Sequence, residues 1–180
     1  MVESVGRVFV AVPLPPEVRM ALADALHPVA IPGRVAPPEN WHITLRFLGT
    51  VDQVTYERFL AALGVEERSP FRVQLDGVGA FPNARRATVV WIGIEKGGTQ
   101  LAALNAVAEE AARMAGLEPE ERPFHAHLTL ARVRPPADVR ALEGWMVDLG
   151  WRCDRIVVYR SRPGRGGARY EPLETVRLGG

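Results

Sequence analysis

Two short segments of the sequence share the pattern histidine, any residue, threonine, leucine. The first begins at His42 and the second at His127, which is 85 positions (127 − 42) further along the chain. In a β-strand, residues i and i+2 face the same side and lie about 6–7 Å apart. Each segment would therefore present an imidazole beside a hydroxyl, with leucine and isoleucine packed on the opposite face.

Two imidazoles and two hydroxyls suit the chemistry of a phosphodiester. A neutral histidine takes a proton from the nucleophile, and a protonated histidine gives one to the leaving oxygen. The hydroxyls of Thr44 and Thr129 would donate hydrogen bonds to the non-bridging oxygens. Because the unperturbed pKa of histidine is near 6.5, one of the pair can be charged and the other neutral near pH 7. The pattern predicts general acid–base catalysis by His42 and His127.

A metal site is the main chemical alternative. His125 and His127 form a His-x-His pair, which can ligate zinc. No aspartate, glutamate or cysteine stands near either motif at ligand spacing, and threonine is a poor metal ligand. The sequence therefore favours a site without metal or cofactor, with His125 at a strand end or the rim of a cleft. His27, at a helix end, and Cys153, in a predicted strand, are interpreted as residues without chemistry.

The elements that would position the two motifs are also duplicated. Apolar periodicity and the placement of proline and glycine predict strand, helix, strand, helix, strand in each half of the chain. The first half has predicted strands over 7–12, 41–49 and 71–81 and helices over 15–26 and 52–63; the second has strands over 87–94, 125–133 and 153–160 and helices over 99–116 and 135–149. This repetition predicts a single domain of two pseudo-twofold related units, about 7–81 and 87–161, with residues 162–180 closing the fold.

Length and charge limit the classes of function. The chain has 180 residues, 47% of them hydrophobic, and a formal net charge of +1, so a contact with nucleic acid must come from a local patch. The N-terminal residues do not resemble a signal peptide, and no apolar run is long enough to span a bilayer. The sequence therefore predicts a cytoplasmic protein of the ordinary globular class.

The chain resembles the two-histidine phosphoesterases, and among them the RNA 2',3'-cyclic phosphodiesterases, which are also called 2'-5' RNA ligases. The segments that carry the resemblance are RVFVAVPLPPEVR, WHITLRFLGTV, GAFPNARRATVVWIGI, RPFHAHLTLARV and GARYEPLETVRL. The resemblance implies an α+β, bilobal fold with antiparallel sheets flanked by helices around a central cleft. It also implies hydrolysis of a terminal 2',3'-cyclic phosphate of RNA to a 2'-phosphate without a metal, and we expect the protein to be a monomer. Some members of the family join tRNA halves through a 2'-5' linkage.

The resemblance also implies a role for each motif residue. His42 would be the general acid that protonates the departing 3' oxygen, and His127 the general base that activates water. Thr44 and Thr129 would hold the phosphate. The family commonly has proline where this chain has Ala126, a difference of backbone stiffness more than of chemistry.

Two arginines near the motifs are candidates for substrate binding. Strand alternation puts Arg46 on the face of His42, toward the cleft. Arg132 resembles the arginine that ends the family's second motif, but alternation puts it opposite His127, so it would need a β-bulge or the end of the strand to reach the substrate. For both arginines a structural ion pair is the alternative.

Basic and aromatic residues around the motifs have two interpretations each. The Arg/Gly segment 160–169 is either a solvated hairpin or a clamp on an RNA backbone. Tyr170, Trp41 and Phe47 could each stack on a base, but Trp41 and Phe47 share the apolar face of their strand, and for these two we predict packing in the core.

The sequence thus predicts a metal-independent RNA 2',3'-cyclic phosphodiesterase. Within that class, 2'-5' ligation of tRNA halves and hydrolysis of small cyclic nucleotides are the alternatives. A non-catalytic RNA-binding module is the alternative from another class, and it is disfavoured because a binding protein would not need both histidines and both threonines.

Overall fold

Nine strands form one antiparallel sheet across residues 3–179, the part of the chain that the computed structural model describes. Three α-helices accompany the sheet over the same residues. The strands are β1 (Ser4–Pro13), β2 (Arg34–Val35), β3 (His42–Asp52), β4 (Phe71–Phe81), β5 (Ala87–Lys96), β6 (Leu128–Ala137), β7 (Gly150–Cys153), β8 (Arg155–Arg162) and β9 (Arg169–Arg177), and the helices are α1 (Pro16–Leu26), α2 (Gln53–Ala62) and α3 (Gly98–Met114). The predicted α+β class with an antiparallel sheet flanked by helices is confirmed.

The two motif strands are neighbours in the middle of the sheet. The strand order is β7-β4-β5-β6-β3-β1-β8-β9, with β2 paired to β6 beside β3. Strands β3 and β6 meet at one residue pair, Ile43 and Leu128, and both of these side chains are fully buried. We call β3, β1, β8 and β9 the first lobe, and β7, β4, β5 and β6 the second lobe.

Each lobe contains strands from both halves of the sequence. Strand β4, the last strand of the first predicted repeat, pairs with β5 and β7 in the second lobe. Strand β8, the last strand of the second predicted repeat, pairs with β1 in the first lobe. The chain therefore crosses between the lobes, and neither lobe is one continuous half of the sequence.

The predicted helix over 135–149 is wrong. Strand β6 continues to Ala137, and a short 3-10 turn follows at Arg140–Leu142. Two prolines, Pro135 and Pro136, start the segment, and a residue before proline is disfavoured in the helical region. Both Arg134 and Pro135 precede a proline, so the chain stays extended there. Helix α2, by contrast, begins as predicted, because the Asp52 carboxylate accepts a hydrogen bond of 2.8 Å from the Thr55 amide.

Each motif strand has a β-bulge directly after its threonine. In the pairing of β1 with β3, Ala11 lies opposite Thr44 and Val10 opposite Arg46, so Leu45 is an extra residue. In the pairing of β5 with β6, the extra residue is Leu130. A bulge of this kind puts two consecutive side chains on one side of the strand, and the alternation of faces is reversed beyond it.

The carbonyl of each bulged leucine has a partner outside the sheet ladder of its strand. The Asn105 amide group on α3 donates to the Leu45 carbonyl at 2.8 Å. The Ala36 backbone N–H, just after β2, donates to the Leu130 carbonyl at 2.7 Å. A bulge leaves backbone groups unpaired, so these donors satisfy groups that would otherwise be buried without a partner.

The Asn105 contact gives a prediction for stability. In Asn105→Leu the side chain keeps its size but loses its donor, so the Leu45 carbonyl stays buried and unpaired. We expect the free energy of unfolding to fall by about 1–3 kcal/mol, measured by urea denaturation. Gln100→Leu, an exposed residue of the same helix, is the matched control, and we expect a change within about 0.5 kcal/mol. Equal stability of the two variants would contradict a supporting role for Asn105.

Candidate active site

The junction of β3 and β6 brings the four motif side chains together. Ile43 lies opposite Leu128 in the antiparallel register, so His42 continues opposite Thr129 and Thr44 opposite His127. Residues on either side of Ile43 and Leu128 point to the face opposite the core. Both imidazoles and both hydroxyls therefore occupy one small area between the lobes.

His42 is held by hydrogen bonds on both ring nitrogens. Its Nδ1 lies 2.7 Å from the Asn40 carbonyl oxygen, and its Nε2 lies 2.9 Å from Oγ1 of Thr44. A carbonyl can only accept, so Nδ1 carries a hydrogen and donates it. In the neutral ring Nε2 is then the unprotonated nitrogen and accepts from the Thr44 hydroxyl.

His127 is oriented in the same way. Its Nδ1 donates to the His125 carbonyl oxygen at 2.6 Å. In both motifs the acceptor is thus the carbonyl two residues before the histidine. The shared arrangement fixes the same tautomer in the two rings and leaves Nε2 of each as the nitrogen available for proton transfer.

Aromatic side chains surround both histidines. The ring of His42 lies 4.9 Å from that of Phe9 and 5.2 Å from that of Tyr170, which meets it edge-on. The ring of His127 lies 5.1 Å from Phe81 and 6.1 Å from Trp91. These contacts shield the imidazoles from water, so that the polar groups next to each ring lie on the side that faces the cleft.

The surroundings lower the pKa of both histidines. Burial lowers the pKa of His42 to about 4, the Asn40 hydrogen bond opposes this, and the charge of His127 adds to it. Burial also lowers the pKa of His127, with the charges of His125 and Arg132 as further causes and the His125 hydrogen bond opposing them. Both rings are therefore neutral near pH 7 in the free protein. An anion in the cleft would favour their protonated forms.

Arg46 does not face the cleft, so its predicted place beside His42 is wrong. The bulge at Leu45 turns its side chain to the helix side, where it is 8% exposed. It forms an ion pair with Glu109 of α3 and donates to the carbonyls of Phe47 and Glu118. Of the two alternatives for Arg46, the structural ion pair is the one that the structure contains.

Arg132 lies on the side of the cleft. The bulge at Leu130 reverses the alternation, so its exposed side chain shares the face of His127 and Thr129. Its charge is one of the causes that lower the pKa of His127. Of the two ways in which Arg132 could reach the cleft, a bulge and the end of the strand, β6 contains the bulge.

Phe47 is not in the core, contrary to the prediction. It occupies the position in β3 that Arg132 occupies in β6, two residues after the bulged leucine, and it is 52% exposed. Its ring packs on that of Phe9 at 5.6 Å, on the face of His42. Trp41, in contrast, is buried as predicted. The sequence pattern missed Phe47 because period-two alternation has no signal for a bulge.

The Arg/Gly segment 160–169 is only in part a loop. Arg160 and Arg162 belong to β8, and both bind the Glu171 carboxylate. Tyr170, which follows the segment, contacts His42 at the cleft. Arg160 and Arg162 therefore share one carboxylate within the hairpin of β8 and β9, which offsets one of their two positive charges.

His125 borders this group, with its ring 5.9 Å from that of His127. His125 is exposed, with its ring 4.9 Å from that of Trp91. Cys153 is buried as predicted, and burial raises the pKa of its thiol to about 11. Over residues 3–179 the structure has no group of three or more histidine, cysteine, aspartate or glutamate side chains placed to hold a metal ion. None of the helices in the same range is long and apolar enough to cross a membrane.

Comparison with known proteins identifies relatives across almost the whole chain. The family model of the 2'-5' RNA ligase superfamily matches residues 11–165. The chain is 36% identical over 187 residues to a protein of Thermus thermophilus and 34% identical over 174 residues to one of Escherichia coli, and both are named RNA 2',3'-cyclic phosphodiesterase. The first alignment covers 97% of this chain and 91% of the relative, and the second covers 93% and 94%.

Solved structures have the same fold. The crystal structure of TT0787 of Thermus thermophilus matches with a TM-score of 0.82 and 31% identity, covering 96% of this chain and 97% of that one. The crystal structure of Escherichia coli LigT in apo form matches with a TM-score of 0.78 and 28% identity, covering 97% and 98%.

The lowered pKa of His42 predicts how stability depends on pH. Below pH 6.5 the histidine of the unfolded chain takes up a proton that the folded protein binds only near pH 4, so the free energy of unfolding should fall over this range. In His42→Asn this dependence should be weaker, as measured by urea denaturation at steps between pH 7 and pH 4. His27→Asn, which removes an exposed histidine at the end of α1, should keep the slope of the wild type. Identical slopes for all three proteins would contradict the buried, neutral state of His42.

Proposed function

The chain belongs to the 2'-5' RNA ligase superfamily, and from this premise we propose that it hydrolyses the 2',3'-cyclic phosphate at the end of an RNA. Relatives that are 33–36% identical to it bear the name RNA 2',3'-cyclic phosphodiesterase. One observation carries the proposal. Two histidines from duplicated motifs come together at the junction of β3 and β6, and each donates Nδ1–H to a backbone carbonyl, so that the unprotonated Nε2 is the nitrogen that exchanges a proton; Nε2 of His42 accepts from the Thr44 hydroxyl.

In the proposed reaction His127 takes a proton from water, and the water oxygen attacks phosphorus. The bond from phosphorus to the 3' oxygen breaks, and protonated His42 gives its Nε2 proton to that oxygen. The product is a 2'-phosphate with a free 3'-hydroxyl. A pKa well below 6.5 makes the protonated form of His42 a strong acid, and the negative charge of the bound phosphate supports that form.

The threonines would stabilise charge on the phosphate. Thr44 and Thr129 lie one on each motif strand, and each stands opposite a histidine in the register of β3 and β6. Their hydroxyls can donate to the two non-bridging oxygens as negative charge builds up there. Arg132, with an exposed guanidinium on the same face, is proposed to add a charged donor.

Ligation is the second candidate, and the superfamily's name favours it. If the 5'-hydroxyl of another RNA replaces water, the same proton transfers form a 2'-5' linkage, so the site needs no other group. Hydrolysis of small cyclic nucleotides also remains a candidate, and an RNA-binding module without catalysis is disfavoured by the availability of both Nε2 atoms. The monomeric state and the cytoplasmic location stay predictions from the sequence.

The proposed activity has a direct test. We expect the protein to hydrolyse an oligoribonucleotide that ends in a 2',3'-cyclic phosphate, and the rate to be the same in excess EDTA. In His42→Ala and His127→Ala we expect kcat to fall about 10²–10⁴-fold, because each variant loses a group that transfers a proton in the transition state. Product release would be followed by chromatography, and His27→Ala serves as the control.

Three outcomes would overturn parts of this proposal. Loss of the activity in EDTA would show that a metal takes part. Full activity of both histidine variants would exclude their roles as acid and base. A 3'-phosphate as the product would reverse the assignment of the two histidines to the two ribose oxygens.

The pH dependence of the rate is a separate prediction. The profile of kcat/KM should be bell-shaped with its maximum below pH 6.5, because both histidines have a lowered pKa in the free enzyme. The acidic limb reports protonation of the base, and the alkaline limb reports loss of the acid's proton. The profile of kcat should have its maximum at a higher pH, since the bound phosphate raises both pKa values. A flat kcat/KM profile between about pH 5 and 9 would contradict a pair of acid and base.

A further inference from the structure

Two arginines without acidic partners lie side by side next to the site. Strand β2 consists of two residues, and its Arg34 lies directly opposite Arg132 of β6. Like charges in such a cross-strand pair are destabilising. Within residues 3–179 neither guanidinium has a carboxylate oxygen within 4.0 Å, although eight other ion pairs form in that range. An uncompensated pair of this kind is an electrostatic site for an anion.

The side chain of Arg34 reaches from the second lobe to the first. Its guanidinium lies against Gly167 in the turn between β8 and β9, where a Cβ atom would be 2.8 Å from Nη2 of Arg34. That turn is tied to the motif strand, because the Asn40 side chain donates to the Ala168 carbonyl at 2.8 Å. Arg34 thus lies where β6, the hairpin of β8 and β9, and the segment before His42 come together.

The same rim has further unpaired positive charge. Arg165 lies in the turn between β8 and β9, and Arg169 is the first residue of β9. Both side chains are exposed. Neither has a carboxylate partner within 4.0 Å among the described residues, whereas Arg162 of the same hairpin binds Glu171. In a chain whose formal net charge is +1, this local concentration of guanidinium groups indicates a polyanion instead of a single phosphate.

The backbone of Arg34 is distant from the histidines, and its guanidinium lies against Gly167 in the turn between β8 and β9, whereas the charge of Arg132, its cross-strand partner, acts on His127. Arg34 stands opposite Arg132, five residues after His127 with one bulge between them, which is about 13 Å along the strand. The motif histidines and threonines lie at the start of β6, around the pair of Ile43 and Leu128. A group that Arg34 binds therefore belongs to the neighbouring nucleotide of a longer substrate.

We propose that Arg34 binds the phosphate on the 5' side of the terminal nucleoside and so gives the enzyme a preference for RNA over a cyclic mononucleotide. A guanidinium can bind such a phosphodiester with two parallel hydrogen bonds. This inference rests on the proposed function, because the substrate must place its cyclic phosphate between His42 and His127.

Three substrates separate the phosphate from the rest of the RNA: adenosine 2',3'-cyclic phosphate, the same nucleotide with a 5'-phosphate, and the dinucleotide ApA that ends in a 2',3'-cyclic phosphate. The wild type should prefer the second and third by kcat/KM. In Arg34→Ala the ratio of kcat/KM for either of them to that for the first should fall about tenfold, the size expected for a hydrogen bond to a charged group. Arg34→Lys should restore part of the ratio, because lysine keeps the charge without the fork.

Salt and a matched variant sharpen the test. For the dinucleotide, the slope of log(kcat/KM) against log salt should become shallower by about 0.7 in Arg34→Ala, as one phosphate contact is lost. Arg58→Ala removes an exposed arginine of α2 and causes the same change in net charge, so its substrate ratio and salt slope should equal those of the wild type.

Two results would overturn the inference: an unchanged ratio in Arg34→Ala, or equal losses on all three substrates. Failure of the proposed function gives a different result, because the wild type would then hydrolyse none of the three. In that case the Kd of ApA with a terminal 2'-phosphate, measured by calorimetry, still tests the site. A weaker Kd in Arg34→Ala than in Arg58→Ala supports it, and equal Kd values overturn it.

Discussion

The geometry of the site depends on the contact between Ile43 and Leu128. This pair joins the two lobes into one sheet, and both side chains are fully buried. Because neighbouring residues of a strand face opposite sides, the burial of this apolar pair turns the histidine and the threonine of each motif toward the cleft. The separation of the two imidazoles is thus set by strand pairing and core packing, which hold a site more rigidly than loops do.

The two β-bulges decide which side chains surround this centre. They reverse the alternation at the same place in both strands, so the backbone is duplicated while the side chains are not. Beyond the bulge, the first residue that faces the cleft is Arg132 in β6 and Phe47 in β3. The twofold arrangement of histidines and threonines therefore has a basic side, at Arg132, and an apolar side, at Phe47. These two sides differ in the groups that they can bind, a phosphate on the basic side and a nucleobase on the apolar side.

The two β-bulges also determine which site residues can be predicted from the sequence and which cannot. His42, Thr44, His127 and Thr129 precede the bulges, so the two-residue period places them correctly. Beyond the bulges the period fails, and this is why it predicts Arg46 at the cleft although Arg46 forms an ion pair with Glu109. The two-residue strand β2 is too short to have a period, and the exchange of β4 and β8 between the lobes is a long-range pairing that local patterns do not contain.

Because the pKa values of both histidines are lowered, the protonated form that the proposed reaction needs depends on the negative charge of the bound phosphate. Burial by aromatic rings keeps both imidazoles neutral in the free protein, yet the proposed reaction needs one of them to be a cation. A bound cyclic phosphate is an anion within reach of Nε2, and a nearby negative charge favours the protonated ring. The arginines at the rim act in the opposite direction, since positive charge disfavours the imidazolium. Most of the rim arginines lie away from Nε2 of the histidines. They can therefore attract an anionic RNA to the cleft, while the protonation of the histidines is determined mainly by the terminal phosphate.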